Sequence, residues 1–248
     1  MVLGLTVRLP WLAPHSICLL CGCRIPGRRP LCPACEADLP WLGSCCRQCA
    51  LPLPVPDQLC PGCHRQPPDF ALVAAAWRYG FPVDSLIIRF KHHGQWPMGR
   101  LLGLLLAERL QQRFAEGLPR PDALVPVPLS AKRLRERGFN QAELLAQVLA
   151  KSLGIPIDDC LRRVQDGPHQ QQLNARQRRR NLRGAFAMAA DDEARGRHLA
   201  LVDDVVTTGS TANVLAGLLL KHGASRVDVY SLARTPAQGM AQTTGAGH

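Results

Sequence analysis

Leu199–His222 reads LALVDDVVTTGSTANVLAGLLLKH, and this stretch decides the fold. Leu199, Leu201 and Val202 suit a strand covered on both faces of a parallel sheet. Two adjacent acids follow, Asp203 and Asp204, then Thr207, Thr208, Gly209, Ser210 and Thr211, then an apolar run that suits a helix. A helix start presents unpaired N–H groups and partial positive charge, and small residues let a phosphate approach the backbone. Carboxylates only accept hydrogen bonds, so the acid pair suits ribose hydroxyls or a hydrated magnesium ion. The order of these parts points to a sugar carrying both a phosphate and free hydroxyls. The plainer alternative is a turn whose acids and threonines merely cap a helix.

VDDVVTTGST, residues 202–211, resembles the ribose-phosphate-binding signature of type I phosphoribosyltransferases. The resemblance implies binding of 5-phosphoribosyl 1-pyrophosphate with magnesium and an α/β fold, a parallel sheet flanked by helices. Asp203 and Asp204 would then be the catalytic acids on the ribose hydroxyls, and Thr207–Thr211 would hold the 5-phosphate.

Upstream, Ala123–Val127 reads as a short strand running into PLS and then KRLRERGFNQ. Lys132, Arg133, Arg135 and Arg137 thus fall at the edge of the sheet, outside a carboxyl end, where sites in open α/β sheets lie. VPVPLSAKRLRERGFNQ resembles the ComF/GntX branch of phosphoribosyltransferase-like proteins. By that resemblance Lys132, Arg133 and Arg137 contact pyrophosphate, with Gly138, Asn140 and Gln141 shaping the loop. The family is associated with natural competence and DNA uptake, and some members with gluconate use.

The front of the chain is organised differently. Ten of the eleven cysteines precede residue 64. Cys18, Cys21, Cys32 and Cys35 repeat 28 residues later as Cys46, Cys49, Cys60 and Cys63, each set a CxxC pair ten residues from the next. Two knuckles supply four thiolates, the ligand set of a tetrahedral zinc ion. Proline and glycine fill the intervening segments, so this region depends on metal to fold, and the zinc is structural. Two sequential ribbons with one ion each is the simplest arrangement. A crossed arrangement, the first knuckle with the third, stays open, as does a ligand swap at Cys45 or His64. Cys23 is spare. The chain thus divides into a double zinc ribbon at 15–68, a phosphoribosyltransferase-like domain at 69–236 and a disordered tail at 237–248.

Between these parts, Ala71–Tyr79 reads as a strand, Val83–His92 and Met98–Phe114 as helices, and Asn140–Leu153 as another helix. Lys91, at the end of its helix, reads as a cation complementing the dipole. Ile155–Cys160, Gly184–Met188 and Arg226–Ala233 read as strands.

Charge is uneven. The net charge is +11, and residues 131–183, with 12 lysines and arginines against 5 acids, carry +7 of it. Gln165–Arg183 has few apolar anchors and many cations, a composition suited to a lid over pyrophosphate. Arg176, Arg178, Arg179, Arg180 and Arg183 would equally hold a nucleic-acid backbone. Two function classes therefore stand: a transferase of unknown acceptor, and a non-catalytic single-stranded DNA-binding protein. Aromatic residues, at 5%, argue against extensive base stacking. No residue set identifies an acceptor. No apolar run reaches the roughly 20 residues of a membrane span, and the start of the chain makes a poor secretory signal, so the expected location is cytoplasmic.

Overall fold

A computed structural model describes residues 15–27, 29–93, 96–164, 184–189 and 194–237. The chain forms two compact units, Met1–Leu39 and Pro40–His248. In the first, β1 (His15–Ile17) and β2 (Arg24–Pro26) pair antiparallel, and α1 (Pro33–Ala37) follows.

The second unit is built on a four-stranded parallel sheet. Its strands are β3 (Leu72–Arg78), β4 (Ala123–Pro126), β7 (His198–Val206) and β8 (Arg226–Arg234), in the order β3-β8-β7-β4. Leu199, Leu201, Val202 and Val229 have no exposure, as a strand covered on both faces requires. Helices α3 (Val83–His93) and α4 (Trp96–Ala115) link β3 to β4. α5 (Ala131–Arg137) and α6 (Gln141–Leu153) follow β4, and α7 (Ser210–Lys221) links β7 to β8. Fully buried leucines such as Leu102 of α4 and Leu149 of α6 contribute roughly 2 kcal/mol each.

Both edges of the sheet are occupied. Along β3, the amides of Leu42, Val73 and Arg78 donate to the carbonyls of Ala76, Gln48 and Pro40, so residues 40–48 run beside the strand. α2 (Pro61–Arg65) completes this region, and Cys46, Cys49, Cys60 and Cys63 lie in the same apolar core as Val73, Leu201 and Leu215. The second cysteine set is therefore part of the unit that holds the sheet, and Pro67 and Pro68 lie inside it.

The expected strand at Ile155–Cys160 is not one. Ile157 makes a single parallel bridge to Leu124, through Leu124 N to Pro156 O at 2.8 Å and Asp158 N to Leu124 O at 2.9 Å. Pro156 has no N–H to extend the ladder. The chain instead turns into β5 (Leu161–Arg163), paired antiparallel with β6 (Phe186–Met188). The basic segment with Arg176, Arg178, Arg179, Arg180 and Arg183 lies outside the described residues, as does the tail beyond Ala237. Among the described residues, no helix is long and apolar enough to cross a membrane.

Candidate functional site

Asp203 and Asp204 sit near the carboxyl end of β7, and the loop after them turns into α7. The turn closes at Gly209, whose φ of 75° lies in the left-handed region that a side chain would strain. Gly209 is the N-cap and offers no side chain, while Thr208 Oγ1 accepts from Ser210 N, the first helical N–H, at 3.3 Å. Thr208 and Ser210 hydroxyls lie 2.8 Å apart, across a small cleft lined by residues 205–212 and Asp203.

Next to this cleft opens a cavity of about 420 Å³, and it collects most of the residues that the sequence singles out. Asp203, Asp204, Thr207 and Thr211 line it together with Arg133 and Arg137. Gly209 and Ser210 belong to the adjoining cleft. The basic stretch is not an irregular loop but the helix α5. Ser130 caps its start by accepting from Arg133 N at 3.2 Å, and Gly138, at φ 79°, ends it. A helical spacing of four places Arg133 and Arg137 on one face. Lys132 lies off that face, exposed beside Glu136, and does not line the cavity. Asn140 fastens the following turn, donating to Val127 O at 3.2 Å and accepting from Ala142 N at 3.0 Å.

Lys91 is the residue that sequence reasoning missed. Its Nζ lies 2.7 Å from Asp204 Oδ2, inside the cavity. As a cation in the last turn of a helix it carries no local signal of that role. Only the fold brings α3 over the acid pair.

The electrostatics show what the cavity lacks. Burial pushes the Asp203 carboxyl up to about 7, and the adjacent Asp204 adds to the effect. The Asp204 N–H, which donates to Asp203 Oδ1 at 2.8 Å, and Lys91 partly offset it. In the same cavity, burial and then Arg133 draw Arg137 below its ordinary range, opposed by Asp204. The acids thus gain from a cation or hydroxyl donors, and the arginines from an anion.

The two cysteine groups share one local design. Cys32 N donates to Cys18 Sγ at 3.5 Å, and Cys60 N to Cys46 Sγ at 3.3 Å. Cys35 N donates to Cys32 Sγ, and Cys63 N to Cys60 Sγ, both at 3.4 Å. Burial opposes ionisation, but the N–H groups of Cys21, Cys32 and Leu20 bring the Cys18 thiol down to about 6. Those of Cys49, Cys60 and Gln48 likewise bring Cys46 down to about 7. The sulfurs of Cys46, Cys49, Cys60 and Cys63 lie within 4.8 Å of one another, as do those of Cys18, Cys21, Cys23 and Cys32. The grouping is sequential rather than crossed.

Either set could hold a metal ion. Cys21 and Cys32 sulfurs are 3.8 Å apart and Cys49 and Cys60 sulfurs 3.6 Å apart. A tetrahedron of sulfurs about 2.3 Å from a central ion has edges of about 3.8 Å, whereas a disulfide needs about 2.05 Å. In the first set Cys23, left spare by the repeat, joins the group, while Cys35 stays beside it through Cys32. Cys45 and His64 fall outside both groups.

The phosphoribosyl transferase domain family matches residues 139–246. DNA utilization protein YhgH of Salmonella typhi is 39% identical over 233 residues, covering 92% of this chain and 95% of that protein. Competence protein F of Haemophilus influenzae is 38% identical over 211 residues, covering 82% and 90%. Among solved structures, the glutamine phosphoribosylpyrophosphate amidotransferase of B. subtilis aligns with a TM-score of 0.37 and 21% identity, over 54% of this chain and 25% of that one.

Proposed function

The chain belongs to the ComF family of phosphoribosyltransferase-like proteins, that of competence protein F and YhgH, and on this premise we propose that its cavity binds 5-phosphoribosyl 1-pyrophosphate with magnesium. One observation carries the reading. Asp203, Asp204, Thr207 and Thr211 line a single cavity with Arg133 and Arg137, so hydroxyl-seeking and phosphate-seeking groups meet in one space. The 5-phosphate takes the cleft of residues 205–212, where the helix start offers N–H donors and Thr208 and Ser210 offer hydroxyls. The ribose hydroxyls donate to Asp203 and Asp204. Arg133, Arg137 and Lys91 take the pyrophosphate, which requires Lys91 to turn from Asp204. Magnesium, held beside the acid pair, supplies charge neutralisation when bound.

In a transfer reaction, positive charge grows at the anomeric carbon and negative charge on the departing pyrophosphate. The acids stabilise the first and the cations the second, with no covalent nucleophile. Both cysteine groups hold structural zinc. The names of the relatives link the protein to DNA utilization and competence. They also favour a second reading, in which Arg176–Arg183 contact single-stranded DNA.

Calorimetric titration with 5-phosphoribosyl 1-pyrophosphate and magnesium tests the proposal. Wild type binds, and Asp203→Asn/Asp204→Asn binds at least about a hundredfold more weakly. No heat with wild type would remove the phosphosugar reading. DNA affinity that falls steeply with salt and is indifferent to Asp203→Asn would favour the second.

A further inference from the structure

Arg234, at the end of β8, is 5% exposed, yet among the described residues no carboxylate pairs with it. A guanidinium is always charged, and a buried charge needs a partner. Two things surround it. On one side Nε donates to Cys49 O at 2.7 Å, and Nη2 reaches Cys49 Sγ at 3.9 Å. On the other, Nη1 donates to the carbonyls of Val206, Thr207 and Thr235, at 3.3 Å for Val206 and 2.7 Å for Thr235. Val206 and Thr207 are the residues at which β7 becomes the phosphate loop.

Four thiolates around a divalent ion carry a net charge of about −2, and this is the counter-charge that Arg234 otherwise lacks. Protonated thiols without the ion carry none. Apart from this side chain, a cavity of about 410 Å³ opens between Cys49, Cys60 and Cys63 and the loop at Thr208–Ser210. The guanidinium lies in the wall of that cavity, with Phe70 packed beside it near Gly209.

We propose that Arg234 is a positioning residue that ties the phosphate loop to the second cysteine cluster, so that metal at Cys46, Cys49, Cys60 and Cys63 sets the shape of the 5-phosphate site. The ligand in this inference rests on the phosphosugar reading above; the coupling itself does not.

The test uses the full chain on a Cys18→Ser/Cys32→Ser background, with cobalt(II) in the second cluster. Arg234→Met and Arg234→Lys are compared with Arg234. The expected result is 5-phosphoribosyl 1-pyrophosphate affinity at least about tenfold lower for Arg234→Met, with Arg234→Lys between the two. Addition of the ligand shifts the sulfur-to-cobalt absorption bands when Arg234 is present and not in Arg234→Met. Full cobalt with unchanged affinity and an unchanged spectral response in Arg234→Met overturns the proposal. Amide hydrogen exchange covers the case in which Arg234→Met does not fold, and it needs no ligand. Stripping the second metal from wild type deprotects residues 206–210, and unchanged protection overturns the coupling. Failure of wild type to bind the ligand with the exchange result intact rejects the phosphosugar reading alone.

Discussion

The cysteine group at 18–35 and the group at 46–63 follow one 28-residue spacing and make the same N–H to sulfur bonds, yet they sit in different surroundings. In the first, Cys21 and Cys23 are exposed. In the second, all four cysteines are buried and share the apolar core with the strands of the sheet. The difference traces to single positions. Gly22 and its counterpart Ala50 both take a positive φ, 76° and 56°, so the knuckle turn is the same. One residue on, the first repeat has the exposed thiol Cys23 and the second has Leu51, which packs against the core. A common local device therefore serves two surroundings: one group has two of its thiols exposed, the other lies in the core, where the Cys49 carbonyl accepts from Arg234.

The comparison can be broken most directly by removing one sulfur from each group. Cys63→Ser costs the sheet unit on the order of 3 kcal/mol or more, because metal binding and folding are one process there. Calorimetric melting shows this as a large fall in the main transition. Cys32→Ser leaves that transition in place. Equal falls would show that burial makes no difference.

A smaller effect comes from the far side of the loop. The folded Asp203 carboxyl, at about 7, stands above its unfolded value of about 3.9, so the folded state favours the protonated form. Stability is full below about pH 4 and is lost as pH rises through 7. Asp203→Asn removes that loss. Urea unfolding is expected to show the variant more stable than wild type by roughly 1–3 kcal/mol at pH 8, by about a third of that at pH 5, and near-equal to it only below about pH 4. The opposite pH trend would mean that the acid pair is already neutralised by its neighbours.

The smallest effect tests the spare thiol. Cys23→Ser and Cys35→Ser, taken singly, are expected to keep about two zinc ions per chain, because each leaves four sulfurs in the first group. The double variant keeps about one. Metal analysis after dialysis against a chelator gives the count. Loss of an ion from either single variant would show a fixed ligand set instead.

Much of the site was legible because its signals are local. VDDVVTTGST is a strand, a turn and a helix start within ten residues, and the turn needs Gly209 where it stands. Ser130 and Gly138 likewise bound α5 by themselves, although the family resemblance implies a loop there. Lys91 was hidden because its partner, Asp204, is supplied by a different strand. Ile155–Cys160 misled for a related reason. Its apolar residues fit a strand, but Pro156 limits pairing with β4 to one bridge.

The sequence by itself determined the two cysteine repeats, the acid pair with the turn that follows it, and the α/β order of elements. These rest on turns, caps and periodicities that close within a few residues. Only the tertiary structure decided that the second repeat belongs with the sheet, that Lys91 covers Asp204, and that Cys23 stands among the first group of sulfurs. It alone placed Arg234 between Cys49 and the loop, 185 residues from the cysteine in the chain. A buried charge takes its partner from whatever the strand order brings beside it. The order β3-β8-β7-β4 does that here, setting β8 between the strand that residues 40–48 border and the strand that carries Asp203 and Asp204.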